Sequence, residues 1–77
     1  MCSDLEKLIN MILTVIEMNN IVKFGSEEHL RIITALDNMK SIKEIKTTND
    51  KHVKIALELI KKDKKLFNIL KEDGINI

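Results

Sequence analysis

Apolar residues recur at three- and four-residue steps along most of this 77-residue chain, and the polar stretches between them are short. Leu5, Leu8, Ile9, Ile12, Leu13, Val15 and Ile16 keep the period of an α-helix, and Met11 and Met18 widen the stripe beyond one face. Ser3-Asp4-Leu5-Glu6 ahead of it reads as a capping box, in which the serine accepts from a free backbone N–H and the glutamate reaches back to the cap. A helix central to the core is predicted to begin there. Asn19, Asn20 and Gly25 bracket a connection whose Ile21, Val22 and Phe24 are expected to fold back onto that core. Ser26, followed by Glu27 and Glu28, reads as a second N-cap with acids that complement the helix dipole. Leu30, Ile33 and Leu36, with Ile32 and Met39, are its predicted buried stripe. Glu28, Arg31 and Asn38 then face water, and the helix is expected to end near Met39 or Lys40.

Ser41-Ile42-Lys43-Glu44 is another capping box. It predicts one short helical turn carrying Ile42 and Ile45, a link rather than a support, before Thr47, Thr48 and Asn49 break the pattern. From Asp50, the stripe Val53, Leu57 and Ile60, flanked by Ala56 and Leu59, marks a third main helix with Lys51, Lys54 and Glu58 on its opposite edge. It is expected to end in the polar run Lys61 to Lys65. Leu66, Phe67, Ile69 and Leu70 predict one more short helix, with Gly74 placed as its C-terminal stop. The pattern predicts an all-α fold, one domain over residues 1–77: a small helical bundle of four helices plus a short linking helix. A winged helix is a competing arrangement, built from Ile32 to Ile45, the 53–60 helix and a hairpin from Leu66 to Ile77 turning at Asp73-Gly74. The turn between Ile45 and Val53 lacks the apolar residues that motif packs.

Composition sharpens this picture. The chain has no proline and two glycines, which favours uninterrupted helices over sheet. Its aromatics are two phenylalanines, so Ile, Leu, Val and Met must fill the interior. A domain this small buries only about 60% of the surface its unfolded chain exposes, so each apolar stripe is needed for the core. That scarcity assigns Met11, Met18 and Phe24 to the core rather than to a patch for a partner helix. The single cysteine, Cys2, allows no intramolecular disulfide, and neither a signal peptide nor a run of eighteen apolar residues occurs. A cytoplasmic location without membrane association is expected.

Candidate chemistry is sparse. Cys2 stands at the chain end, where fraying is expected, His29 and His52 lack a second ligand at helical spacing, and Gly25 and Gly74 are isolated from any phosphate loop. The chain is therefore expected to be no enzyme in its own right, with no cofactor and no metal. Charge is more informative: residues 1–39 hold three basic and six acidic side chains, residues 40–77 ten basic and six acidic. The series Lys40, Lys43, Lys46, Lys51, Lys54, Lys61, Lys62, Lys64 and Lys65 could line one side against phosphates. It reads equally as a solvated surface, because Glu44, Asp50, Glu58 and Asp63 interrupt it and arginine and aromatic stacking groups are almost missing.

Two resemblances add to this. In length, in lysine- and isoleucine-rich composition, in lack of aromatics and in predicted helical layout, the whole chain resembles the small helical proteins encoded beside the UvsW recombination helicase of T-even phages. That resemblance implies a phage accessory factor in DNA recombination, repair or replication, in a host cytoplasm. Its partners would be a larger protein such as the helicase, which would supply the ATP-driven chemistry, and DNA. Val53-Lys54-Ile55-Ala56-Leu57-Glu58-Leu59-Ile60-Lys61-Lys62, then Lys64-Lys65-Leu66-Phe67, with Ala35-Leu36-Asp37 upstream, is similar to the N-terminal helical domain of elongation factor TFIIS and the integrase-binding domain of LEDGF. This second resemblance implies a peptide-docking module with no nucleic-acid role. The chain departs from that family between Ile42 and Val53, which is short for the helices placed there, and in having no aromatic near Asp63.

Overall fold

A computed structural model describes residues 3–77, and among them every regular element is a helix: α1 (Asp4–Met18), α2 (Glu27–Asp37), α3 (Ile42–Lys46), α4 (Lys51–Lys62) and α5 (Lys64–Glu72). This is an all-α bundle of four main helices plus the short α3. Each helix starts where a side chain takes over the backbone donors that the first turn leaves free. Ser3, Ser26 and Ser41 accept from the N–H groups of Glu6, His29 and Glu44 at 3.1, 3.2 and 3.2 Å. In the box that opens α3, the glutamate's return bond passes over the cap residue: the Glu44 carboxylate accepts from the N–H of Lys40.

Two helix ends close in the same way. Gly74, at φ +77°, lets the N–H of Ile75 reach the carbonyl of Leu70 at 2.9 Å while its own N–H bonds to Lys71 at 3.0 Å. Asn20, at φ +51°, does this for α1, with the N–H of Ile21 bonded to Ile16 at 3.1 Å. These are Schellman motifs, and a left-handed residue is what each requires. Leu70 and Ile75, the apolar pair that accompanies the motif, are both buried, so the turn after α5 folds its tail back into the core.

The core is aliphatic. Leu8, Ile12, Val15 and Ile16 of α1 meet Val53, Ala56, Leu57 and Ile60 of α4, and this is the most extensive helix pairing in the molecule. Ile32 and Leu36 of α2, Ile45 of α3, Leu70 of α5, and Val22 and Ile75 from the connecting segments complete it. α5 packs chiefly on α4, while α2 and α3 pack on α1.

Several expectations need correction. The buried stripe of α2 runs through His29, Ile32 and Leu36, and Leu30 is 56% exposed. A buried histidine one residue upstream rotates the helix away from the face that Leu30 and Ile33 would have set. α2 also stops at Asp37, with Asn38 as C-cap, and Met39 packs on the core from the connection. Phe24 and Met18 stay outside the core, 73% and 76% exposed, and Met11 is half-buried. The chain from Leu66 forms helix α5, which excludes the hairpin of a winged helix.

α3 also does more than link, because Ile45 is fully buried against the core. Ile45→Ala should cost about 2–5 kcal/mol, as truncation of a buried isoleucine does, and half-buried Ile42→Ala clearly less. Urea unfolding followed by circular dichroism checks both; equal and small losses would mean that α3 is only a linker.

Candidate nucleic-acid interface

All nine lysines of the basic series are exposed. On α4, Lys51, Lys54, Lys61 and Lys62 fall within an arc of about 100° when turned at 3.6 residues per turn, with Val53, Ala56, Leu57 and Ile60 on the opposite side. Burial of that stripe against α1 therefore points the four ammonium groups at solvent together. Glu58 lies within the same arc, 3.8 Å from Lys61. Its carboxylate is 65% exposed, so the pair adds little to stability and removes one positive charge from the arc.

The polar run Lys61 to Lys65 is divided by a turn. Asp63 is both C-cap of α4 and N-cap of α5, its carboxylate accepting from the N–H groups of Lys65 and Leu66 at 3.0 and 3.2 Å. Lys64 and Lys65 thus continue the α4 lysines across a sharp corner, in the first turn of α5. Asp50 caps α4 through the N–H groups of His52 and Val53 at 2.9 and 3.1 Å. Neither α4 nor α5 has an acidic residue in its first turn, whereas α1 and α2 both do. Lysines at these positive helix ends run against the dipole, at a cost of a few tenths of a kcal/mol each.

Lys40, Lys43 and Lys46 lie in and just before α3, which packs on α1. By element, the series divides into six lysines on α4 and the start of α5 and three around α3. Among the described residues, Lys61 is the only one of the nine with a carboxylate within ion-pair distance.

Neither histidine sits in a metal cluster; among the described residues no group of three potential ligands converges. Cys2 lies outside the described residues. His52 is a tie between helix starts, with Nε2 3.6 Å from Glu28 Oε2 and Nδ1 3.8 Å from Asp50 Oδ1. His29 is the buried polar residue of the core, 4% exposed. Its Nδ1 accepts from the N–H of Gly25 at 3.1 Å, so the neutral ring carries its hydrogen on Nε2, which lies 3.4 Å from Glu17 Oε1. Nε2 makes no hydrogen bond with the described residues, and the Phe24 ring leans on the imidazole at a centroid distance of 5.0 Å. His29 therefore pins the α1–α2 connection to the first turn of α2, with Glu17 of α1 close by. Its position three residues before Ile32 and seven before Leu36 is the sequence signal that could have disclosed it.

No described helix is long and apolar enough to cross a membrane. Comparison with protein-family models, curated proteins and solved structures finds no match to this chain.

His29→Ala should destabilise the fold by about 2 kcal/mol, because it opens a cavity and leaves the Gly25 N–H without its acceptor. Glu17→Gln, on a partly exposed partner at 3.4 Å, should cost well under 1 kcal/mol. Thermal unfolding of the two variants reads the difference; equal losses would mean that the Glu17 contact, rather than the imidazole's burial, holds the connection.

Proposed function

We propose that this chain is a non-catalytic accessory protein that contacts nucleic-acid phosphates through the lysines of α4 and the start of α5. Lys40, Lys43 and Lys46 form a secondary group on the same chain. One observation carries the reading: Lys51, Lys54, Lys61 and Lys62 share one outward arc, exposed Lys64 and Lys65 follow directly in the first turn of α5, and Lys61 alone of these six is ion-paired among the described residues. Exposed cations, five of these six without a carboxylate at ion-pair distance among the described residues, are what phosphate affinity needs, through release of condensed counterions. With two phenylalanines and one arginine, the chain lacks a stacking platform, so the contact is electrostatic and tolerant of sequence.

The setting follows from the first resemblance. A small lysine- and isoleucine-rich helical chain of this type works in DNA recombination, repair or replication beside a larger phage protein, a helicase, which supplies the energy-driven chemistry. A docking module of the transcription-elongation type is the second reading. It is favoured by the apolar groove between α1 and α5, lined by Met11, Met18, Leu66 and Ile69.

Replacing Lys61, Lys62, Lys64 and Lys65 with Gln separates the two readings, because all four are exposed and the fold should persist. Affinity for a short DNA duplex should fall at least tenfold at low salt. The slope of log affinity against log salt should flatten by about 0.9 for each phosphate that the protein no longer neutralises. Fluorescence anisotropy at several salt concentrations measures both. Unchanged affinity and slope would remove this face from the function, and no DNA binding by the parent protein would leave the docking module.

A further inference from the structure

The outward face of α4 is not uniformly basic. Its exposed residues, in chain order, are Lys51, Lys54, Ile55, Glu58, Lys61 and Lys62. Two lysines at each end therefore flank a stretch, residues 55–60, that holds no cation. At 1.5 Å per residue, Lys54 and Lys61 stand about 10.5 Å apart along the axis. At 3.6 residues per turn, Glu58 falls about 40° from Lys54 on one side and about 40° from Lys62 on the other. The carboxylate is thus near the middle of the arc as well as inside the gap. Of the two exposed residues there, Ile55 offers a phosphate nothing and Glu58 repels it.

That placement selects the shape of polyanion that fits. A single strand laid along α4 carries one row of phosphates, one at every nucleotide. A gap of about 10.5 Å is longer than a nucleotide step, so at least one phosphate would stand over Glu58. A duplex presents its charge as two rows, with a groove between them about 6 Å wide on the minor side of B-DNA and about 12 Å on the major. With α4 across a groove, Lys51 and Lys54 meet one row, Lys61 and Lys62 meet the other, and Glu58 faces the opening between. The aromatic residues point the same way. A single strand offers unstacked bases, which proteins hold on aromatic rings. Phe24 lies against His29 beside the α1–α2 connection, and Phe67 is half-buried in α5, so α4 presents no ring. A duplex keeps its bases stacked within itself and needs none.

We infer that the ligand of this face is duplex DNA and not a single strand, with α4 crossing one groove and Glu58 keeping a phosphate row from its centre. The inference rests on the phosphate contact proposed above and adds a role for Glu58, which sets the preference between the two forms.

Fluorescence anisotropy with a labelled DNA duplex and with each of its separated strands, at about 0.15 M salt, tests it. The screening length there is about 8 Å, so Glu58 acts chiefly on phosphates close over it. The parent should bind the duplex about fivefold or more tighter than either strand. Glu58→Gln should cut that preference about threefold or more by raising single-strand affinity. Release of Lys61 from its 3.8 Å ion pair helps both ligands and cancels in the ratio. Asp37→Asn removes the same charge from an exposed position that shares a surface hollow with Ser3, Asn10 and Met39 and with no residue of α4, and should leave the preference unchanged. Both substitutions are on the surface, and an unchanged circular dichroism spectrum confirms that the helices persist. Equal affinity of the parent for duplex and single strand overturns the inference, as does a preference that Glu58→Gln does not reduce; either result leaves the phosphate contact standing. A parent that binds neither form removes that contact and this inference together.

Discussion

The packing of α1 against α4 is the constraint on which the rest of the molecule depends. Eight aliphatic residues, four from each helix, close this seam, and each is at least 94% buried. With almost no aromatic material, no smaller cluster could hold a domain of this size, since a fully buried aliphatic side chain is worth only about 1.5–3 kcal/mol. Once the seam is fixed, the orientation of α4 is fixed, and its lysines can point only outward. The same seam leaves α5 attached through α4, Leu70 and the Ile75 turn, so one side of α5 has no neighbour. The lysine arc and the open groove are thus two consequences of a single packing decision.

Asp63 ties the two together at the chain level. By ending α4 and starting α5 with one residue, it allows no slack between them and sets the angle at which α5 leaves. Lys64 and Lys65 therefore follow Lys61 and Lys62 with one residue between, and Asp63 itself stands at one end of the α1–α5 groove. Its carboxylate also satisfies two donors in a first turn made of lysines, offsetting part of the dipole penalty those lysines incur.

The helices are legible in the sequence because their signals are local. Ser3, Ser26, Ser41 and Asp50 cap the helices they precede, Gly74 takes the left-handed conformation its position implies, and the α4 stripe and its lysine edge follow from 3.6-residue spacing alone. What the sequence does not disclose depends on neighbours. Leu30 and His29 exchange the inside and outside of α2 because a histidine with a backbone donor from Gly25 can be buried, which hydrophobic periodicity alone does not anticipate. Scarcity of apolar material assigns Met18 and Phe24 to the core, yet the space is filled by Val22, Ile45 and Ile75 from connections and a five-residue helix. The lysine series is continuous along the chain but is carried by three different helices. The docking of α3 on α1, which positions three of those lysines, is a tertiary choice with no local signal.

Titrating isotope-labelled protein with duplex DNA at low and then moderate salt, and following backbone amide shifts by NMR, tests the separation of the two faces most directly. Salt-sensitive shifts are expected on the exposed face of α4 and the first turn of α5, weaker ones around α3, and none along the groove at Met11, Thr14 and Ile69. Shifts centred on the groove, or spread evenly over all five helices, would contradict the assignment of phosphate contact to the α4–α5 lysines.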